Sequence, residues 1–471
     1  MSAGPSIERR RRIAVIGGGI SGLAAAHRLV ELDPRLELTL FEASDRLGGV
    51  LQTERRDGYL IERSADNFIT NVPWAIDLCR RLGLSDDLLP TRAADRRAFV
   101  VRRGRLYPVP EGFTLMAPTR IAPLVTTPLL SVRGKLRLLA EALVPRRPDA
   151  GTDESLASFV TRRFGRETFQ RLVQPLVGGI YTADAEQLSL AATLPRFLEM
   201  EREHGSLIRA MLRQRKSRSA SGAGESGARY SLFTAPREGM SMLIDALVAR
   251  LPAATARCNT PVAELGLVEG RWSIAGAVEL FDAVILATPA PVAARQLAAV
   301  APELSTELAQ IAYAGSAVVV LGYRQEQFAR PLAGFGFVVP EIERRDILAV
   351  SYSSQKYEGR APEGRALLRV FIGGATRPEL IDRPDHELQR IAERELGELL
   401  GVRGAPELVE VVRWHGAMPQ YHLGHIERLA RIQRLAAALP GLALAGNAYQ
   451  GVGIPHCVHS GEAAAERMAR W

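Results

Sequence analysis

Residues 13–29 read IAVIGGGISGLAAAHRL, a short apolar run, three consecutive glycines and an alanine-rich segment. The run Ile13–Gly17 predicts a buried strand, and Ile20–Leu32 predicts a helix. In the pattern G-x-G-x-x-G, the first glycine allows a tight turn, the second lets a pyrophosphate approach the backbone, and the third permits close packing of helix on strand. The unpaired N–H groups of a helix start attract anions. The stretch therefore predicts a dinucleotide site at Gly17, Gly18, Gly19, Ile20, Ser21 and Gly22.

A second strand is predicted at Leu36–Phe41, LELTLF, which completes a β-α-β unit. Glu42 follows this strand, 20 residues after Gly22. An acidic residue at that spacing accepts hydrogen bonds from a ribose diol and disfavours a 2′-phosphate. The sequence thus predicts a nucleotide without that phosphate.

Composition narrows the class of protein. The 471 residues suffice for two or three domains, and 47% hydrophobic with 24% charged residues is typical of a soluble globular chain. The net charge of +8 is compatible with an acidic ligand, nucleic acid or an anionic membrane, and it does not choose among them. No run of 18 apolar residues is present, so no membrane-spanning helix is expected.

Cysteine and histidine usage excludes further classes of site. Three scattered cysteines without a C-x-x-C pair predict a reducing compartment and no disulfide framework. The basic run Arg9–Arg12 leads into a phosphate-binding turn rather than a signal-peptide core, so no export signal is read and a cytoplasmic protein is expected. The pairs His422/His425 and His456/His459 lack an acidic or cysteine cluster, and no metal is expected.

The order of predicted elements indicates an α/β protein with a Rossmann-like dinucleotide domain interrupted by two insertions. The dinucleotide domain is assigned to 1–80, 231–290 and 436–471, and a mixed-sheet substrate domain to 81–112 and 291–435. Residues 113–215 are predicted to form a helical domain, and 216–230 a flexible loop. The segment 112–130, GFTLMAPTRIAPLVTTPLL, is broken by prolines, and two alternatives stay open for it: a membrane-lying segment or a lid over a pocket.

Two features favour FAD over NAD. After Glu42 the chain reads EASDRLGGV, whose paired glycines resemble the second fingerprint of the FAD-containing amine oxidase superfamily. The tail AGNAYQGVGIPHCVHSGEAAAERM places a strand, a glycine-rich turn and a helix start at the chain end, where backbone N–H groups favour the anion of a reduced flavin. No second strand–GxGxxG–helix unit is present, so a separate NAD(P)H site is not expected.

Further segments narrow the resemblance. MPQYHLGHIERL (418–429) and GNAYQGVGIPHCVHSG (446–461) resemble the protoporphyrinogen oxidase and coproporphyrinogen III oxidase family, as do GGIYTADAEQLSL (178–190), GFGFVVP (334–340) and APREGMSMLIDAL (235–247). The likeness runs in order along nearly the whole chain. It implies a heme-biosynthesis enzyme that oxidises protoporphyrinogen IX to protoporphyrin IX in a six-electron reaction, by hydride transfer to FAD and with dioxygen or another carrier as acceptor.

Alternatives remain at this stage. The first is oxidation of coproporphyrinogen III to coproporphyrin III. A flavin amine oxidase or carotenoid-type desaturase is less favoured, because amine oxidases usually carry A-G-E where this chain has Ala445-Gly446-Asn447. A flavin protein without turnover is a third reading. The expected partners are the porphyrinogen and the electron acceptor, with no nucleic acid; peripheral membrane contact and a homodimer are left open.

The resemblance also assigns site residues. Besides the glycine turn, the FAD contacts it implies are Glu42, Ala43, Arg46, Gly49, Val50, Ser64, Val262, Trp414, Val452, Gly453 and Ile454. The substrate pocket is assigned to Phe335, Val338 and Phe371, with Arg97 as a candidate for a propionate. No acid–base residue is nominated, because pyrrole protons exchange with solvent.

The sequence departs from the family pattern at three places. Ala98 stands where many protoporphyrinogen oxidases have a propionate-binding arginine, and a one-residue shift to Arg97 in a strand faces the opposite side. Ser64-Ala65-Asp66-Asn67 replaces the usual Gly-Pro motif, and Pro455-His456 replaces an Asn-Asp pair. The first two departures leave the choice of porphyrinogen open.

Overall fold

The computed structural model describes residues 10–93, 96–114, 116–118, 120, 122–147, 151–220 and 232–471. In chain order the strands are β1 Arg12–Ile16, β2 Glu37–Phe41, β3 Thr53–Arg56, β4 Tyr59–Glu62, β5 Phe68–Ile69, β6 Leu88–Pro90, β7 Phe99–Arg102, β8 Arg105–Pro108, β9 Phe113–Thr114, β10 Ala117–Pro118, β11 Phe233–Pro236, β12 Ala256–Arg257, β13 Leu265–Val268, β14 Arg271–Ile274, β15 Leu280–Phe281, β16 Ala283–Leu286, β17 Tyr313–Arg324, β18 Gly336–Val338, β19 Ala349–Tyr352, β20 Arg365–Gly373, β21 Leu408–Pro419 and β22 Leu442–Leu444.

The α-helices are α1 Ile20–Leu32, α2 Trp74–Arg81, α3 Ala122–Thr126, α4 Val132–Leu139, α5 Leu156–Phe164, α6 Arg166–Thr168, α7 Gln174–Tyr181, α8 Leu190–Thr193, α9 Pro195–His204, α10 Leu207–Ala220, α11 Ser241–Val248, α12 Ala290–Leu297, α13 Pro302–Ala309, α14 Ser353–Lys356, α15 Asp385–Leu400, α16 His425–Ala437 and α17 Ile454–Arg470.

A parallel sheet carries the N-terminal glycine turn. Its strand order is β12-β2-β1-β16-β22, with β1 at the centre. The central strands are apolar throughout because both faces of the sheet are covered. Helices α1, α11 and α17 pack on one face, and α12, α13 and the β13–β15 ribbon pack on the other. The predicted helix Ile20–Leu32 is confirmed with those bounds, and the Rossmann-like architecture is confirmed with it.

A second sheet has the order β21-β17-β20-β19-β18-β7-β8 and is antiparallel except between β18 and β7. Its two faces differ because side chains alternate along each strand. One face is apolar and packs beneath α15. The opposite face, which we call the site face, contacts β4 of the dinucleotide domain and the helical block. The predicted strands SAVVVLGYR, ILAVSYSS and ALLRVFIGG correspond to β17, β19 and β20.

The helical block consists of α3–α10 around its own apolar core. It begins with the ribbon β9–β10, because prolines interrupt helical hydrogen bonding in this segment. At the other end α10 continues to Ala220, so the predicted loop does not begin at 216; its remainder from 221 lies outside the described residues. Within the described ranges, no helix has both the length and the apolarity needed to cross a membrane.

The segment that joins β4 to β5 includes Ser64, one of the predicted site residues. The segment 63–68 leaves β4, crosses toward the site face and ends in β5. Strand β6 pairs with β11 and not with the large sheet, whereas β7 and β8 belong to the large sheet. Residues 81–112 therefore contribute to a small separate sheet, β5-β11-β6, and to the large sheet, and the assigned domain limits stay a prediction.

Candidate cofactor and substrate site

In the glycine turn, Gly17 and Gly22 have no space for a side chain, whereas Gly19 has space above it. Gly17 has a φ of +105°, and a Cβ there would lie 2.7 Å from the carbonyl oxygen of Ala287. A Cβ on Gly22 would lie 1.9 Å from the carbonyl oxygen of Gly17. At Gly19, by contrast, the nearest atom to such a Cβ is the Cα of Gly49, 4.0 Å away. The turn is tightly packed beneath and leaves space above Gly19, as a bound phosphate requires.

Glu42 and a second loop complete this cradle. The Gly18 N–H donates to Glu42 Oε2 at 2.7 Å, and the Ser44 N–H donates to Glu42 Oε1 at 2.8 Å. The Gly48 N–H donates to the Gly18 carbonyl at 2.8 Å, and Arg46 donates to the carbonyls of Leu47 and Gly49. The two glycine loops are thus bound to one another, with the exposed residues Ala43 and Val50 at the rim.

Two helices begin at the same end of the domain. Helices α1 and α17 pack closely, since a Cβ on Gly461 would lie 2.1 Å from the Ser21 carbonyl oxygen. The ion pair Arg28–Glu466 lies further along both helices, so they run parallel. No side chain of the described residues caps either start, at Gly19 and at Gly453. Helix α17 starts seven residues before Gly461 and therefore extends about 10 Å beyond the start of α1.

These two helix starts fit a flavin dinucleotide. One partly positive helix end lies at the phosphate turn, and the other lies about 10 Å away, where the pyrimidine side of a flavin accumulates negative charge. A single phosphate would occupy only one of them. The arrangement therefore fits a flavin that carries phosphate, with Gly19 at one partly positive helix end and Gly453 at the other.

The motif PQYHLGH supports the loop that precedes α17. The Tyr421 hydroxyl accepts a hydrogen bond from the Gly451 N–H at 2.8 Å and donates to the Asn447 carbonyl. The Tyr421 ring stacks on His425 with centroids 4.1 Å apart. Burial lowers the pKa of His425 to about 4, so this ring is neutral near pH 7. The motif orders the backbone at the α17 start and brings no titrating group to it.

The predicted substrate residues Val338 and Phe371 lie on the site face in one cross-strand row. The register pairs Val338 with Ala349, Ala349 with Phe371, and Phe371 with Val318. Val318 is buried, whereas Val338, Ala349 and Phe371 are partly accessible. The row forms an apolar floor whose Val338 end is covered by α7, and at the other end the Arg369 guanidinium lies over the Phe371 ring, 5.2 Å from its centroid.

Trp414 lies on the same face, in β21. Its indole N–H donates to the Arg63 carbonyl at 2.8 Å, and its ring packs in one cluster with Phe371 and Val412. Trp414 thus connects the floor to the segment 63–68, which includes Ser64.

Other predicted residues lie at the edge of this arrangement. Phe335 precedes β18, is 5% exposed, and donates its N–H to the Arg97 carbonyl at 2.8 Å. The Arg97 guanidinium lies over the Phe99 ring, and Phe99 packs in the core beneath α15. Alternation from Val100 places Ala98 on the other side of this segment, toward the site face. Val262 is buried, and its carbonyl accepts from Gln296 at 2.9 Å.

Sequence reasoning missed a buried ionic cluster behind Ser64. The Asp66 carboxylate lies 2.5 Å from Lys356 Nζ and 3.3 Å from an Arg369 guanidinium nitrogen. Arg369 also donates to the Ser64 carbonyl. Burial opposes ionisation of Asp66, but the two cations outweigh it and lower its pKa to about 2. The signal was present in ALLRVFIGG, where an arginine interrupts an otherwise apolar strand.

Comparisons with known proteins agree with this geometry. The family model described as flavin containing amine oxidoreductase matches residues 20–469. The chain is 35% identical to coproporphyrinogen III oxidase of Bacillus subtilis over 97% of each protein. It is 31% identical to the chloroplastic protoporphyrinogen oxidase of Nicotiana tabacum, over 94% of this chain and 83% of that protein. The crystal structure of a putative protoporphyrinogen oxidase from Exiguobacterium sp. 255-15 superposes with a TM-score of 0.87 at 31% identity, covering 98% and 99% of the two chains.

Proposed function

The chain belongs to the flavin-containing amine oxidoreductase family, and from that premise we propose that it is an FAD-dependent porphyrinogen oxidase of heme biosynthesis acting on coproporphyrinogen III. The family supports a flavin, and the two uncapped helix starts support the dinucleotide form. The likeness to the Bacillus coproporphyrinogen III oxidase is greater in identity and coverage than the likeness to the tobacco protein. This favours the alternative substrate over protoporphyrinogen IX.

The observation that carries the proposal is the apolar row on the site face. Val338, Ala349 and Phe371 extend over three neighbouring strands, which are spaced about 4.8 Å apart. A macrocycle of four pyrroles is broad enough to cover such a row, whereas a small primary amine is not. Val338 packs in the same apolar cluster as Val452, which just precedes the α17 start, and this supports a position of the floor beside that helix start.

Each oxidation removes a hydride from a bridge carbon and a proton from a pyrrole nitrogen of the porphyrinogen. Three rounds remove six electrons and six hydrogens, and three dioxygen molecules, reduced to hydrogen peroxide, balance the reaction. Bound FAD supplies the hydride acceptor. The floor would hold the macrocycle in place, and the helices covering Val338 would exclude water from that end. The released pyrrole proton passes to solvent.

Ala98 supports the choice of coproporphyrinogen III. This substrate carries four propionates, whereas protoporphyrinogen IX carries two propionates and two vinyl groups. An arginine at position 98 would project a guanidinium toward the site face, and this chain offers only a methyl group there. A substrate with two additional carboxylates depends less on any single cationic contact.

A parallel assay tests the proposal. Both porphyrinogens are offered to the purified holoenzyme in air, and porphyrin fluorescence gives kcat/KM for each. We expect a higher value for coproporphyrinogen III, and we expect Ala98→Arg to raise the value for protoporphyrinogen IX. A higher wild-type value for protoporphyrinogen IX would overturn the assignment, and turnover of neither would overturn the class.

A membrane surface is the second partner in this proposal. Val132, Leu136, Leu139 and Leu143 form one helical stripe and are 73%, 63%, 36% and 81% exposed. Such a stripe beside arginines favours the interface of an anionic bilayer. Flotation with anionic vesicles tests this: wild type is expected to co-float, Leu136→Asp is expected to stay behind, and equal behaviour would contradict it.

A further inference from the structure

Lys356 is a largely buried lysine in a chain whose cationic residues are nearly all arginines. Of the 60 lysine and arginine residues, three are lysines, at 135, 216 and 356. Lys356 ends α14, and its side chain is 13% exposed. It forms an ion pair with Asp66, whose side chain is 11% exposed. A buried ion pair is costly to desolvate, and its presence calls for an explanation beyond stability.

The cluster around Asp66 carries more positive than negative charge. Lys356 and Arg369 both face the single Asp66 carboxylate. Arg360, 1% exposed, donates to the backbone carbonyls of Pro236 and Arg237. The other nearby acid is Glu62, and burial raises its pKa to about 7, so it is only partly ionised at neutral pH. Because these side chains are buried, solvent and salt screen their charge less than they screen a surface charge. The electrostatic potential of the excess positive charge therefore extends further.

The position of the cluster relates it to the cofactor site. The Arg369 guanidinium donates to the Ser64 carbonyl. The backbone carbonyl of the preceding residue, Arg63, accepts a hydrogen bond from the Trp414 indole N–H. Phe68, four residues after Ser64, packs in the same core as Ile454 at the α17 start. The segment 63–68 therefore separates the cluster from the place where the uncapped helix start favours negative charge. Ser64 Oγ and Arg369 Nε are both buried without a hydrogen-bond partner.

We propose that the Asp66–Lys356–Arg369 cluster sets the reduction potential of the flavin. A hydride brings two electrons and one proton, so reduction adds one negative charge to the cofactor, and uncancelled positive charge nearby favours that state. The three side chains are positioning residues, which act through the field and through the segment 63–68. The inference rests on the proposed flavin but not on the identity of the porphyrinogen.

The test compares the midpoint potentials of purified holoenzymes, measured by equilibration with a reference dye. Lys356→Met is expected to disfavour reduction about tenfold, which is about 30 mV for a two-electron couple. Asp66→Asn is expected to shift the potential in the opposite direction, and the double variant is expected to return close to wild type. Lys135→Met, a lysine of the helical block, serves as the matched control and is expected to leave the potential unchanged.

The sign pattern separates a field effect from a structural one. Shifts of the same sign in Lys356→Met and Asp66→Asn, or no shift in either, would overturn the proposal. If Lys356→Met does not retain flavin, Lys356→Arg takes its place. Because this variant keeps the charge, it is expected to have the wild-type potential, and a lowered potential would overturn the proposal. A holoenzyme that oxidises neither porphyrinogen would defeat the proposed function while these potentials are still measurable.

Discussion

Replacing Gly22 by alanine tests whether the close packing under the glycine turn keeps the cofactor site in shape. The new Cβ would lie 1.9 Å from the Gly17 carbonyl oxygen, about 1 Å nearer than any tolerable contact. The turn cannot recede, because Gly17 is itself packed against the Ala287 carbonyl. Overpacking of this kind costs about 1–3 kcal/mol, of which alanine's helix propensity offsets up to about 1 kcal/mol.

The displacement acts on the backbone N–H groups that face the phosphates, so flavin affinity is expected to fall more than stability. A loss of about 3 kcal/mol in binding corresponds to roughly 100-fold weaker affinity. The assay titrates apoprotein with FAD and follows the visible flavin spectrum, with thermal unfolding as the measure of stability. Gly397→Ala in α15 is the matched control, since its Cβ would lie 3.7 Å from the nearest atom. Flavin affinity within threefold of wild type in Gly22→Ala would refute the reasoning.

Three further predictions address individual side chains. Glu42→Ala is expected to weaken FAD binding about tenfold, because it loses the ribose acceptor and the bond from Gly18, with Glu42→Gln intermediate; unchanged retention on gel filtration would remove the assigned role. Burial raises the pKa of Glu62 from 4.5 to about 7, so its contribution to stability is full below pH 4.5 and is lost as pH rises through 7; denaturant unfolding is expected to show about 3 kcal/mol of pH dependence that Glu62→Gln lacks, and parallel profiles would contradict this. Phe371→Ala is expected to lower kcat/KM for coproporphyrinogen III about 30-fold by removing about 2 kcal/mol of apolar contact, with flavin content unchanged; loss of flavin instead would assign Phe371 to the cofactor.

The N-terminal half of the cofactor site was predictable because its determinants are local. Strand, turn, helix and acidic residue follow one another within 30 residues, from Ile13 to Glu42, and each has a distinct pattern. The α17 start was also indicated by glycines before an apolar helix. The sequence did not fix the residue at which this helix begins. In the structure it begins at Ile454, and Pro455 lies in the first turn, where the missing N–H would have had no helical partner.

The site face was not predictable in the same way, because it depends on pairing between distant strands. The sequence indicates β19 and β20, but it indicates neither β18 nor the register that aligns Val338, Ala349 and Phe371. The ionic cluster joins Asp66 to residues about 300 positions later, and only an isolated charge in an apolar strand marks it in the sequence. The loop was predicted from residue 216 because the sequence there is polar. Helix α10 continues to Ala220 instead, since polar residues such as arginine, glutamine and lysine are also good helix formers.

The most direct test of the account mixes holoenzyme with coproporphyrinogen III in the absence of air. We predict that the visible flavin band bleaches in a single turnover, because the macrocycle on the site face donates one hydride, and that the porphyrin Soret absorbance develops only when air is admitted and the three rounds are completed. A flavin band that stays unchanged with either porphyrinogen would contradict it.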